Sequence, residues 1–413
     1  LKIKNLKVCM LSPTAFPLAS ARHLLSEARH LAERGADISF IVPHHYYLPF
    51  EENEHKENEL VGDVRVKHIF PPKKWRDSIR IHFSPIGYWT YNIVKRALEE
   101  PFDIIHVMKP YYTSAAAGLL LHLITRKPMV LECDDLEGKK GWSSALAEEP
   151  LFGFKRHLLA MYERHLPLLA DAVIATSRAL LEMFRSYGVK EERLFYLPYP
   201  VEEYMTQPGD GEKTRQKLGL GDEPVVIYCG ALHPHHYDCD LLIDAMNIVR
   251  GKLPTAKLLI VGDGGARPGL ERRAEEAGLL NSTIIFTGWV PRYGIPDYIA
   301  AADAGVVPMR DTPASRSRGL SKVLEYLCQA RPVVMPGIGQ AAELTDGGKA
   351  GFLIEPGNPS ALADGIITAL TNPVVCEKIG LHGQDYVREK FDWSQATETV
   401  LNIYRKIMLK NVI

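Results

Sequence analysis

Short apolar runs of strand length alternate with amphipathic helical runs along most of this 413-residue chain, and few folds accept that order. The strand runs are continuously apolar, so both faces of the sheet they form need covering, which points to a parallel sheet with helices on each side. KVCMLS (7–12) and ISFIVP (38–43) flank a helical stretch, 22–34, with Leu24, Leu25, Ala28, Leu31 and Ala32 on one face and Gly35 at its end. That is one βαβ unit. DIIHVM (103–108), a small-residue helix reaching 124 and PMVLEC (128–133) repeat it, as do AVIATS (172–177), a helix and RLFYLP (193–198).

From Pro198 to Pro224 the pattern lapses into Pro, Gly and charge, including PGDGEK at 208–213, which reads as a linker. A second series then begins: VVIYCG (225–230), KLLIVGDGG (257–265), TIIFTG (283–288), AGVVP (304–308) and PVVMP (332–336). The expected organisation is a doubly wound domain over 1–198, a linker over 199–223, a second such domain over 224–390 and a terminal helix over 391–413. That last helix carries Val400, Leu401, Tyr404, Ile407 and Met408 on one face, which must pack on something.

Composition narrows the function classes. Lys and Arg number 49 against 50 Asp and Glu, so no global field draws the chain to nucleic acid. Residues 1–200 hold 27 cations against 24 anions, a mild asymmetry. Six cysteines without a CxxC pair read as buried thiols in a reducing compartment. The N-terminal LKIKNLKVCMLS is too short an apolar run for a signal peptide, and AAAGLLLHLI (115–124) falls well short of the roughly 20 residues a membrane span needs. The expected location is the cytoplasm. PPKKWRDSIRIHF (71–83) has two readings, a solvated loop or a peripheral contact with the inner membrane face through Lys73, Lys74, Arg76, Arg80, Trp75 and Phe83.

Ligands of open parallel sheets bind beyond the carboxyl ends of the strands, where backbone and helix N-termini meet anions. Gly230, Gly262, Gly264, Gly265 and Gly288 all follow strands there, as turn residues or as points of close backbone approach. VGDGGARPG lacks the GxGxxG spacing of a dinucleotide site. In SKVLEYLCQARPVVMP (321–336), Ser321 is placed to cap a helix on which Lys322 and Glu325 share a face. A carboxylate there suits a ribose diol and an ammonium suits a phosphate; the alternative is an exposed intrahelical ion pair. HPHH (233–236) suits a donor-side loop with His233, a metal or plain solvent exposure, and His44 and His45 are read as exposed.

At this segment the chain resembles the retaining glycosyltransferases of the GT-B fold, in the family-four or "group 1" set. The matching stretches are LAERGADISFIVP, DIIHV (103–107), DAVIATS (171–177), VIYCGAL (227–232), LLIVGDG (258–264), FTGWV (286–290), EYL with RPVV (325–334) and GFLIEPGNPSALADGI (351–366). The resemblance implies two Rossmann-like domains facing across a cleft, with the final helix returning to the first domain. It also implies transfer of a sugar from a nucleotide-diphosphate sugar with retention and no metal. Glu325 matches the glutamate that holds the ribose, and Gly288, Trp289 and Val290 match the stretch that meets the base.

The departures are specific. The first glutamate of the family pair falls at Ser317, and the arginine and lysine of the usual diphosphate clamp fall at Ala231 and about Tyr237. Arg310, Arg316, Arg318 and Lys322 are the expected substitutes, as in a K-x-x-E-Y branch of similar transferases, with Lys322 and Arg316 cast as catalytic. The glycine-rich first loop reads Leu18, Ala19, Ser20. On the acceptor side Asp134 and Asp135 end a strand; Asp135 is the candidate to orient or deprotonate an acceptor hydroxyl, the alternatives being helix capping or pairing with Lys139 or Lys140. His106 and Lys109 are secondary candidates at a similar edge. The expected activity is transfer from a UDP- or GDP-sugar to a glycan or lipid-linked acceptor, with no nucleic-acid partner. A nucleotide-sugar-binding protein on the same scaffold and a nucleotide-sugar epimerase are the alternatives.

Overall fold

The computed structural model describes residues 6–14, 19–44, 57–70, 86–138, 141, 153–233 and 238–410. Two compact units divide the chain: Leu1–Pro198 with Trp393–Ile413, and Tyr199–Asp392. The 71–83 segment, Lys139, Lys140, Leu18, His45 and residues 234–237 lie outside the described residues.

The first unit runs β1 (Lys7–Leu11), α1 (Ala19–Glu33), β2 (Asp37–Pro43), β3 (Asn58–Val61), β4 (Val64–Ile69), α2 (Ile86–Ala97), β5 (Ile104–Met108), α3 (Tyr112–Thr125), β6 (Met129–Cys133), α4 (Gly153–Leu169), β7 (Ala172–Ala175), α5 (Arg178–Ser186) and β8 (Leu194–Tyr196). Its sheet has the order β3-β4-β2-β1-β5-β6-β7-β8, parallel except for the β3–β4 hairpin. The strands called from apolar runs are buried along β5, β6 and β7, as a sheet covered on both faces requires. Ser177 starts α5 by accepting a hydrogen bond from the Leu180 N–H at 3.2 Å.

The second unit runs α6 (Gly211–Leu218), β9 (Val225–Cys229), α7 (Asp240–Lys252), β10 (Lys257–Val261), α8 (Arg267–Glu276), β11 (Ile284–Gly288), α9 (Ile295–Ala300), β12 (Ala304–Val306), α10 (Pro313–Ser317), α11 (Ser321–Cys328), β13 (Val333–Pro336), α12 (Ala341–Leu344), β14 (Gly351–Ile354), α13 (Pro359–Thr371) and α14 (Pro373–Lys390). The order β11-β10-β9-β12-β13-β14, all parallel, reverses direction between β9 and β12, which creates a switch point at their carboxyl ends.

The stretch expected as a linker is instead part of this second unit. Val201, Met205 and Leu220 are buried in its core, the Val201 N–H bonds the Phe391 carbonyl at 2.7 Å, and α6 is capped by Asp210 through the Lys213 N–H. Helix α15 (Trp393–Lys410) belongs to the first unit: Trp393, Val400, Leu401, Tyr404 and Ile407 bury against Val8, Met10, Leu24 and Leu31. Each such side chain contributes roughly 1.5–3 kcal/mol on burial, so the terminal helix is an integral layer of that unit. All six cysteines are buried and free.

Candidate active site

The carboxyl edge of the second sheet is built around β9. Gly230 follows it directly, donating its N–H to the Val261 carbonyl at 2.9 Å. Opposite, α11 starts without a side-chain cap: Ser321 is its first helical residue and Leu320 holds the cap position, so the expected capping role of Ser321 is corrected. The Tyr326 hydroxyl, one turn further on, accepts from the Cys229 N–H at 2.8 Å and pins the helix to the strand.

That geometry fixes Lys322. Its Nζ lies 4.5 Å from the centroid of the Tyr228 ring and 3.3 Å from the Tyr228 hydroxyl. A Cβ on Gly230 would sit 2.9 Å from the same Nζ, so a glycine there leaves room for the ammonium at the strand end. Burial, with the Arg318 guanidinium adding repulsion, pulls the Lys322 ammonium down to about 8. Arg318 is itself only 7% exposed. Two desolvated cations beside a helix N-terminus make an anion-binding corner. Glu325 lies partly buried one turn along α11.

The other candidate cations have different surroundings. Arg310 donates to Asp238 at 2.6 Å and to Asp240 at 2.5 Å. Arg316 grips Asp311 through Nε at 2.6 Å and Nη2 at 2.7 Å, in an exposed bidentate pair. Both arginines are thus neutralised within their own unit, against the expectation that they supply open positive charge. Ser317 is buried, its hydroxyl donating to the Ala314 carbonyl at 3.1 Å. His233 is exposed and borders a hollow of about 350 Å³ with Asp238, Asp240, Ala266, Leu270 and Arg310.

The remaining glycines divide by cause. A Cβ on Gly262 would fall on the Gly230 carbonyl oxygen and one on Gly264 on that of Leu232, so both are needed for strand-end loops to pack on each other. Gly288, at φ 75°, accepts from the Gly262 N–H at 2.9 Å and lies against Arg267. Trp289, 54% exposed, and Val290, packed on the core, follow it.

The first unit presents a different edge. Lys109 follows β5 in the left-handed conformation, φ 62°, and its ammonium meets Asp134 at 2.8 Å, Asp135 at 3.1 Å and Glu137 at 3.1 Å. The two aspartates follow β6, so one cation gathers three carboxylates from the loop beyond it. Ser20 donates to Asp134 at 3.4 Å. Glu163 from α4 accepts the Glu137 and Gly138 N–H groups at 2.6 and 2.7 Å, holding this loop down. Burial, helped by Asp135 and Asp134 and opposed by Lys109, pushes the Glu137 carboxyl up to about 7. His106 is not at the edge: it is wholly buried within β5, its Nδ1 2.6 Å from the Tyr404 hydroxyl. His44 meets His68 at 2.5 Å and stacks on Phe70, against its expected exposure.

Sequence reasoning named Lys322 and Gly230 but missed Tyr228, whose only signal was an aromatic at the penultimate position of a buried strand. It ranked Lys109 low because its partners lie more than 20 residues away.

Two Rossmann-like parallel-sheet units in tandem, the C-terminal helix packed on the first, define a GT-B protein. Residues 19–200 match the family described as glycosyl transferase 4-like domain, and residues 223–372 match glycosyl transferases group 1. The chain therefore belongs to the GT-B glycosyltransferases of the group 1, family-four type, and is an enzyme of that kind. It is 27% identical to the alpha-D-kanosaminyltransferase of Streptomyces kanamyceticus over 72% of this chain and 76% of that one. It is 29% identical to a GDP-mannose-dependent alpha-(1-6)-phosphatidylinositol monomannoside mannosyltransferase of Mycolicibacterium smegmatis, over 54% of this chain and 59% of that one. Among solved structures, Anabaena HepE in complex with UDP and glucose superposes with a TM-score of 0.73 at 21% identity, covering 97% of this chain and all of that one. Among the described residues, no helix is long and apolar enough to cross a membrane.

Proposed function

We propose that the chain transfers a sugar from a UDP- or GDP-sugar to a glycan or lipid-linked acceptor, with retention and without a catalytic metal. The observation that carries this reading is Lys322, an ammonium held by Tyr228 at the end of β9, beside Gly230 and at the start of α11. In this reading Lys322 and Arg318 neutralise the departing diphosphate as the glycosidic bond breaks, which is electrostatic stabilisation of developing charge. Glu325 accepts hydrogen bonds from the ribose diol, and Gly288 to Val290 meet the base. In the first unit Asp135 orients the acceptor hydroxyl while Lys109 holds it in place. Peripheral contact with the inner membrane face of a cytoplasmic enzyme through 71–83 belongs to the same reading, because a lipid-linked acceptor resides there.

The names of relatives support both donor bases: the mycobacterial relative is GDP-mannose-dependent, and HepE was solved with UDP and glucose. The test is release of nucleoside diphosphate from a panel of UDP- and GDP-sugars, with acceptors supplied and withheld, for the parent, Lys322→Ala and Glu325→Ala. Acceptor-dependent release that collapses in both variants is expected. Tight nucleotide binding with no release from any donor would overturn transfer, and conversion of the donor without acceptor would point to an epimerase.

A further inference from the structure

The apolar segment 115–124, too short to cross a membrane, forms most of α3, and the proposed function makes no use of it. Its packing is inverted. An ordinary surface helix buries its large apolar residues and shows polar ones to water. Helix α3 instead meets the sheet mainly with small residues: Ala115, Ala117 and Gly118 are buried, and a Cβ on Gly118 would fall on Val107 Cγ2. Of its leucines only Leu121 is buried, while Leu123 and Ile124 are 66% and 57% exposed and Leu120 is exposed beside them.

Helices α2 and α4 pack on either side of α3 and extend the same surface. Trp89 and Ile93 of α2 and Leu166 of α4 bury with Leu121 against Val107 and Leu131 of the sheet, so the opposite sides of the three helices face away from it together. There Tyr91, Met161 and Leu169 are exposed, and Leu98 joins them just past α2. Among the described residues, the rest of the first unit exposes only Leu60 and Leu409 as large apolar side chains. The apolar surface is therefore gathered on one face.

Charge on that face is one-sided. Helices α2 and α3 contain no Asp or Glu, and the one carboxylate of α4, Glu163, is buried and turned to the Glu137 and Gly138 N–H groups. Lys95 of α2, Arg126 at the end of α3 and Arg164 of α4 are exposed. Glu99 and Glu100, just past α2, are held by Arg96, Lys67 and Arg65. Composition does not impose this bias, since the whole chain has 49 cations against 50 anions.

We propose that the outer face of α2, α3 and α4 docks on a membrane surface that contains anionic lipid. Leu120, Leu123 and Ile124 enter the boundary between headgroups and acyl chains, about 5–10 Å deep, and Lys95, Arg126 and Arg164 meet the lipid phosphates. A second copy of the chain fits less well, because a symmetric contact sets these cations against themselves. A protein partner needs hydrogen bonds across its interface, and the three apolar side chains of α3 offer none, whereas acyl chains require none. The proposal extends the membrane contact of the proposed function to a second surface, and rests on that reading for the presence of a membrane.

The test is cosedimentation of the full chain with vesicles of phosphatidylcholine alone and of phosphatidylcholine mixed equally with phosphatidylglycerol. Binding to the mixed vesicles that weakens with added salt, and little binding to the neutral ones, is expected. Leu123→Gln with Ile124→Gln should weaken binding about tenfold or more, and Lys95→Gln with Arg164→Gln should weaken it and flatten its salt dependence. All four positions are solvent-facing, and circular dichroism checks that both variants fold. Val374→Gln with Val375→Gln, which removes exposed apolar residues from α14, should change nothing. Absence of binding by the folded parent overturns the proposal, as does binding undiminished in both face variants. If Lys73→Ser with Lys74→Ser and Arg76→Ser abolishes binding while the face variants retain it, the 71–83 reading stands and this one falls. Parent dimers that Leu123→Gln with Ile124→Gln disperses would assign the face to a second copy, and salt-sensitive binding to polyglutamate with none to vesicles would assign it to an acidic protein; either overturns membrane docking.

Discussion

The two sheets share a doubly wound parallel core order yet present opposite chemistry at their carboxyl edges. After β5 and β6, a single lysine is surrounded by Asp134, Asp135 and Glu137; after β9, Lys322 in the first turn of α11 and Arg318 just ahead of that helix stand together with a tyrosine ring and a glycine. Parallel sheets put helix N-termini at both edges, so the fold alone favours anions at each. The side chains decide. In the first unit the carboxylates outnumber the cation, leaving an edge suited to hydroxyl groups, while in the second the helix end and the two cations reinforce one another.

The comparison breaks most readily at Lys322. If Lys322 neutralises the leaving group as proposed, Lys322→Ala should lower kcat about 10²–10³-fold, measured as nucleoside diphosphate release, with the melting temperature unchanged or raised because a partly buried charge is gone. An equal fall in Tyr228→Ala and little change in Lys322→Ala would place the effect in packing instead.

At the other edge the expected loss is in stability. Lys109→Met leaves Asp134 and Glu137, 3% and 5% exposed, without the ammonium they share. Breaking a buried pair by removing one partner costs about 3–5 kcal/mol, so chemical denaturation should show a large fall in the first unit's stability at pH 8. Because Glu137 already titrates near 7, acidification toward pH 5 neutralises it and should return part of that loss.

A smaller effect appears in the pH dependence of nucleotide binding. Lys322 is held near 8, below the ordinary lysine value of 10.5. In the proposed reading its charged form binds diphosphate, so affinity for UDP or GDP should weaken as pH rises from 7 to 9, and calorimetry in buffers of different ionisation heat should show proton uptake on binding near pH 8. Between about 8 and 10.5 the unfolded chain binds this proton and the folded chain does not, so the lysine's contribution to folding stability rises with pH there. A flat affinity profile in the parent would remove Lys322 from the diphosphate.

Much of this was legible in the sequence, and the exceptions have physical causes. Buried parallel strands announce themselves as apolar runs, so β1, β2, β5 to β7 and β9 to β13 stand close to their expected positions. The β3–β4 hairpin escaped notice because β3 is an edge strand with exposed and half-buried residues alternating, in NELVGDVRVKHI, and its turn rests on Gly62 at φ 58°. Helix α6 escaped because GEKTRQKL buries only Thr214 and is defined by its ends, Asp210 and Gly219. At the site, strand-end glycines and Lys322 were visible from position. The sink for Arg310 was not, since Asp238 and Asp240 lie some 70 residues before it.

Arg316 gives the smallest effect and the finest test of the comparison. From spacing it looked equivalent to Lys322, a cation in the same stretch with the clamp residues missing. In the structure its guanidinium is spent on Asp311 in an exposed bidentate pair, and exposed pairs of this kind couple weakly because water screens them. Arg316→Ala should therefore leave kcat within about twofold, while Asp311→Asn, which releases the guanidinium, should alter nucleotide affinity more than Arg316→Ala does. A loss in Arg316→Ala comparable to that in Lys322→Ala would mean that the pair opens when donor binds, and that the positive charge of this edge is recruited rather than built in.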